Sequence, residues 1–389
     1  MAQTRAPLGT STEQAVHDLF ETRIEGLRRA DLRRWLQGLR GPDLIARQQA
    51  LFDRMRMLRV RDVRLMGVRS LGPAEDRASG WTRRMAVDLS YRLTGFDTAP
   101  RRFSLEVTVD GTTAGPHEIA GKSQVALIGS RPLDRPQPWD LPDLQVRAGP
   151  SVLVAVSGTP SRAEAIARQA TVASRRVAGV LGGTRPAVVV VPDTDASAAY
   201  LLGRAPGRLD GVAAVTDGPL EQNGRAGADR VVLVPTAWSA LSTAGREVVL
   251  AHELTHLTTR ATAGRGVPLW LSEGLAEYVA YRDVRMPEPA IVRPALEQAR
   301  RAGMPTHWPS DAQFAPDSGT LSASYGLALL ACRTIAGRHG QAGLLALYRT
   351  ATDSGTMASA FRAVGTEEGT ELIAWRRRVA ELLRVTAQP

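Results

Sequence analysis

Four prolines, Pro132, Pro136, Pro138 and Pro142, fall within the twelve residues from Arg131 to Pro142. Each removes a backbone donor and fixes φ, so this stretch is not expected to carry regular structure. It reads as a linker over 131–146, dividing a unit at 12–130 from a second at 147–389. A chain of 389 residues with 43% hydrophobic content is large enough for two such units.

The patterning differs on the two sides of the prolines. Between about Thr12 and Met57, Leu19, Ile24, Leu27 and Leu32, then Leu44, Leu51 and Met55, recur at helical spacing. From Arg84 to Leu93 the period becomes two, placing Met85, Val87, Leu89, Tyr91 and Leu93 on one face and Arg84, Asp88, Ser90 and Arg92 on the other. Phe103, Leu105, Val107 and Val109 repeat it, Asp110-Gly111 offers hairpin-turn residues, and a further strand is expected around Val125–Ile128. Helices followed by a curved antiparallel sheet predict an α+β cone similar to the nuclear transport factor 2 (NTF2-like) fold. No polar cluster in this part names a ligand, so it reads as accessory.

Beyond the prolines, Val152–Val156, Ala187–Val191 and Arg230–Val234 are apolar strand candidates. A helix is expected from Ser161 to about Leu181, opened by a Ser161 cap with Glu164 three residues on and closed by Gly182-Gly183.

Composition excludes several classes. The formal charge of +10 comes almost wholly from arginine, Lys122 being the only lysine, and the arginines are scattered among acidic residues. That describes a solvated surface rather than a nucleic-acid partner, while proximity to an anionic membrane surface stays open. The single cysteine, Cys332, allows no internal disulfide and sits in the apolar run Leu329–Cys332, where a core thiol is expected. No run of 18 apolar residues suggests a membrane span, and the start does not resemble a signal peptide. Localisation is left unassigned, because Met1–Thr12 suits either a native start or the trimmed edge of a membrane-anchored extracellular protein.

The chemistry concentrates in Glu247–Arg260, which contains His252-Glu253-Leu-Thr-His256. Four residues is close to one helical turn, so both imidazoles leave one face and can grip a single ion. Glu253, about 100° round from His252, can hold a water without being a ligand. A catalytic zinc needs a third protein ligand, and Trp270-Leu-Ser-Glu273-Gly274 follows on what reads as a second helix. Together the two motifs resemble the gluzincin metallopeptidases, the group of thermolysin and the zinc aminopeptidases. That resemblance covers roughly Val152 to the C-terminus and implies a Zn²⁺ peptidase acting on peptide or protein substrates, with Glu273 as third ligand and Glu253 as general base. Glu277, four residues after Glu273, is placed to support a ligand histidine from behind. Sixteen residues separate His256 from Glu273, slightly fewer than in typical zinc aminopeptidases.

The resemblance also suggests Tyr325 as oxyanion stabiliser, against the plainer role of a core tyrosine, and Arg230–Val234 as an edge strand pairing with substrate, against an interior strand. His307 and His339 read as surface or structural. An inactive, peptide-binding domain with a structural ion is the alternative function. Gly115–Ser123 lacks phosphate-loop spacing, and no Gly-x-Ser-x-Gly elbow is present.

Overall fold

The computed structural model describes residues 8–77, 80–111, 125–218, 227–260 and 267–386. It begins with α1 (Leu8–Arg29), α2 (Leu32–Leu36) and α3 (Pro42–Met57), followed by β1 (Val60–Ser70), β2 (Glu75–Arg77), β3 (Gly80–Leu93), β4 (Arg101–Gly111) and β5 (Val125–Pro132). The strands form one antiparallel sheet in the order β1-β3-β4-β5, with β2 on β3. Alternation decides what this sheet buries. Met85, Val87, Leu89, Tyr91 and Leu93 of β3 share a core with Val16, Phe20 and Ile24 of α1 and Leu44, Phe52 and Met55 of α3.

A second, mixed sheet follows, built from β6 (Leu144–Ala148), β7 (Val152–Ser157), β8 (Ala187–Val191), β9 (Ala214–Asp217) and β10 (Arg230–Leu233), with α4 (Pro160–Leu181) and α5 (Asp195–Leu201) between strands. Its order is β6-β7-β8-β10-β9, in which β7, β8 and β10 run parallel and the edges β6 and β9 are antiparallel to their neighbours. The remainder is helical: α6 (Pro235–Ala240), α7 (Thr243–Arg260), α8 (Leu269–Ala280), α9 (Glu288–Ile291), α10 (Arg293–Ala302), α11 (Leu321–Ser354), α12 (Met357–Ala363) and α13 (Glu368–Val385). Helix α11 breaks at Gly340, where φ is 72°, a value that glycine adopts without a Cβ clash.

The continuous apolar runs of β7 and β8 have a simple cause, since both faces of the sheet are covered. Val152, Val154, Val156, Val189 and Val191 join the core formed with α4, α7, α8 and α11. Leu153, Ala155, Val188 and Val190 join the core of the first sheet. The chain is thus α+β, with one sheet face shared between its two halves.

Three local expectations are corrected. Residues 131–146 are not free of regular structure: β5 runs to Pro132, a 3-10 turn spans Pro138–Asp140 and β6 begins at Leu144. The cause is Trp139, 2% exposed and edge-on to Tyr91 at 4.6 Å and Phe103 at 5.2 Å, which packs the segment onto β3 and β4. Asp110-Gly111 is not a turn, because both residues pair within the sheet, with Ala126 and Val125 on one side and Thr82 and Trp81 on the other. A Cβ on Gly111 would lie 2.4 Å from the Trp81 ring, so this glycine makes room for an indole. Finally, α4 is capped by Thr159, whose Oγ1 accepts from the Arg162 N–H at 3.3 Å, and Pro160 rather than Ser161 opens the helix. Gly182 ends it at φ 78°. Lys122 and the run Gly115–Ser123 fall within 112–124, outside the described residues. No described helix is long and apolar enough to cross a membrane.

Candidate metal centre

Helix α7 turns Leu250, Ala251, Leu254 and Leu257 into the core, which leaves His252, Glu253 and His256 half-buried on its other side. Helix α8 packs across it and is drawn close to α11 at Gly274. A Cβ there would stand 2.5 Å from the Ala328 carbonyl oxygen and 2.8 Å from Cys332 Sγ, so only glycine permits this approach of the two helices. Cys332 is fully buried at that contact, and burial pushes its thiol well above the ordinary range, as befits an inert core residue. Arg176 of α4 secures the far end of α8 by donating to the Ala280 carbonyl at 2.8 Å.

These packings bring three side chains to one point. His256 Nε2 lies 3.0 Å from His252 Nε2 and 3.1 Å from Glu273 Oε2, and His252 Nε2 is 3.2 Å from the same oxygen. Donors sharing one tetrahedral zinc at about 2.0–2.1 Å stand roughly 3.3–3.4 Å apart, so the triangle has the right size for a single ion. Among the described residues, His252, His256 and Glu273 are the group of metal-ligating side chains that converges in this way.

Glu277 explains the orientation of one imidazole. Its Oε1 is 2.9 Å from His252 Nδ1, so the Nδ1–H donates to the carboxylate and Nε2 presents its lone pair to the triangle. That lone pair meets a second imidazole and a carboxylate oxygen, an arrangement of acceptors that repels unless a proton or a cation lies between them. The residues present therefore fit a divalent ion. With a proton in that place, burial opposes the His252 charge, but the hydrogen bonds to Glu273 and Glu277 outweigh it and raise its pKa well above the ordinary 6.5. Burial likewise opposes the Glu273 charge, and His256 and His252 overcome it, holding the carboxyl well below the usual range.

Glu253 is kept out of the triangle by a partner that the sequence pattern does not show. Thr216 Oγ1, on edge strand β9, donates to Glu253 Oε2 at 2.7 Å and approaches the Glu253 carbonyl oxygen at 3.2 Å. The neighbouring Asp217 accepts from Arg101 of β4 at 3.0 Å and from Arg135 at 3.4 Å, so the first half of the chain clamps this strand. The edge strand beside the site is therefore β9. Of the Arg230–Val234 run, Arg230–Leu233 forms the interior strand β10, paired on both sides by β8 and β9, which removes it as a rail for substrate.

Tyr325, the fifth residue of α11, stands edge-on to His252 with ring centroids 5.8 Å apart and to Phe314 at 5.6 Å. Burial first, then the charges of Glu273, Glu253 and Glu277, push its phenol well above the ordinary range, so the hydroxyl keeps its proton. The other candidate histidines lie elsewhere. His307 is exposed and its Nδ1 is 2.9 Å from Thr306 Oγ1, while His339 Nε2 pairs with the buried Glu371 at 2.9 Å. No family model and no curated protein sequence matches the chain.

Proposed function

We propose that the chain is a gluzincin-type zinc peptidase, with His252, His256 and Glu273 as ligands and Glu253 as general base. The observation that carries this reading is the convergence of His252 Nε2, His256 Nε2 and Glu273 Oε2 within 3.0–3.2 Å of one another, with Glu253 one residue along the same helix. A zinc-class ion held there supplies Lewis acidity to a carbonyl oxygen and acidity to a water. Glu253, steadied by Thr216, accepts the proton of the attacking water and returns it to the leaving nitrogen. Tyr325, held protonated, donates to the carbonyl oxygen as negative charge gathers on it. Glu277 keeps His252 in one tautomer throughout. An extended peptide is the substrate, lying along β9, the sheet edge that touches the metal helix. Residues 12–130 form an NTF2-like accessory unit in this reading, and Arg101 is its handle on β9.

The test is Glu253→Gln, assayed on a peptide library with and without chelator. The variant should retain its ion and lose at least about 100-fold in turnover, and chelation should abolish wild-type cleavage. Unchanged turnover in the variant, or cleavage indifferent to chelator, rejects the proposed base or the proposed ion. Peptide binding without any wild-type turnover points instead to an inactive binding domain.

A further inference from the structure

A separate cavity lies far along the chain from the metal motif, between α1, α3 and the first sheet. It encloses about 180 Å³, and its walls include Phe20, Trp35, Met55, Leu89, Phe103 and Trp139. A dry apolar cavity of about 150 Å³ accepts a benzene ring, so this one holds a six-carbon body with a small substituent.

Its polar lining is unusual for an apolar space. Arg23 is 2% exposed, and its Nη1 and Nη2 donate to the Trp35 carbonyl at 2.6 Å and to Gln48 Oε1 at 2.5 Å. Both acceptors are neutral. The guanidinium lies 4.2 Å over the Trp35 ring, its Nε–H has no acceptor, and no carboxylate pairs with it among the described residues. A buried cation without a counter-charge is costly, and an anion at this wall removes that cost. Arg131 is paired with Glu106, and Arg54 lies beside Asp140, whose carboxyl also receives the Gln137 N–H at 2.8 Å. Arg47, exposed on the lining, has no carboxylate partner among the described residues. Two arginines are thus left over.

We propose that this cavity binds a small amphipathic carboxylate, its apolar body among the aromatic walls and its head on Arg23 and Arg47. The apolar body can be a ring or a short acyl chain, and the two share the same recognition chemistry.

The experiment is calorimetric titration of the full chain with phenylacetate and with hexanoate, using benzyl alcohol and inorganic phosphate as controls. At least one carboxylate should bind saturably, one to one, and at least tenfold more tightly than either control; which of the two binds better separates ring from chain. Arg47→Ala, on an exposed side chain, should weaken binding severalfold, and Leu51→Phe, at the half-buried wall, should abolish it without lowering the melting temperature. Failure of both carboxylates to bind, equal binding of benzyl alcohol, or unchanged affinity in both folded variants overturns the proposal.

Discussion

Thr216 Oγ1 donates to Glu253 Oε2 at 2.7 Å, tying the edge strand of the second sheet to the carboxylate that lies between the two histidines of α7. The two residues are 37 apart in sequence and meet only because β9 returns antiparallel beside β10. If Glu253 is the general base, this bond sets its direction. A hydrogen bond to a charged group is worth about 1.5–3 kcal/mol, equivalent to roughly 10- to 100-fold in rate where the transition state needs it. Thr216→Val should therefore lower kcat by that factor while metal content and melting temperature hold. An unchanged kcat in a metal-loaded variant removes Thr216 from the mechanism.

The same geometry shows what the sequence makes legible. Contacts set by helical spacing could be read directly: the two imidazoles are four apart on α7, and Glu273 and Glu277 are four apart on α8. Contacts set by strand order could not. The valine run at β10 reads equally as edge or interior, and only the antiparallel pairing of β9 along its other side makes it interior. Trp139 was hidden because proline density argues against structure, while its burial depends on Tyr91 and Phe103 from strands laid down earlier. The sharing of one sheet face between the halves is similarly a property of layer packing, seen in the sequence only as the absence of alternation in β7 and β8.

Protonation and metal binding compete at His252, and the sign follows from the two shifts. His252 is raised above 6.5, so in the metal-free protein its stabilising contribution is complete below about that pH and is lost as pH rises through the raised value. Glu273 is depressed below 4.5, so its contribution is present above that pH and is lost only as pH falls through the depressed value. Metal-free protein should thus lose this stabilisation on the alkaline side, where an ion, needing the same nitrogen deprotonated, binds more tightly. Thermal melts with and without zinc should show a stabilisation by zinc that grows as pH rises above 6.5 toward the raised value of His252. A zinc effect that is flat with pH contradicts the coupling.

Gly274 holds α8 against α11 and so holds Glu273 in the triangle. The Cβ of Gly274→Ala would meet a backbone carbonyl at 2.5 Å, which no side-chain rotation relieves. Overpacking of this kind costs about 1–3 kcal/mol. The variant should be less stable by that amount and lose zinc affinity as α8 is pushed outward; full affinity at wild-type stability contradicts the close contact of the two helices at Gly274.

The sharing of one ion by two imidazoles and a carboxylate is open to a direct measurement, stoichiometric zinc titration of the chelator-stripped chain. One equivalent should bind per wild-type chain, and Glu273→Gln should lose that site while remaining folded. Absence of stoichiometric binding in the wild type, or an intact site in the variant, contradicts it.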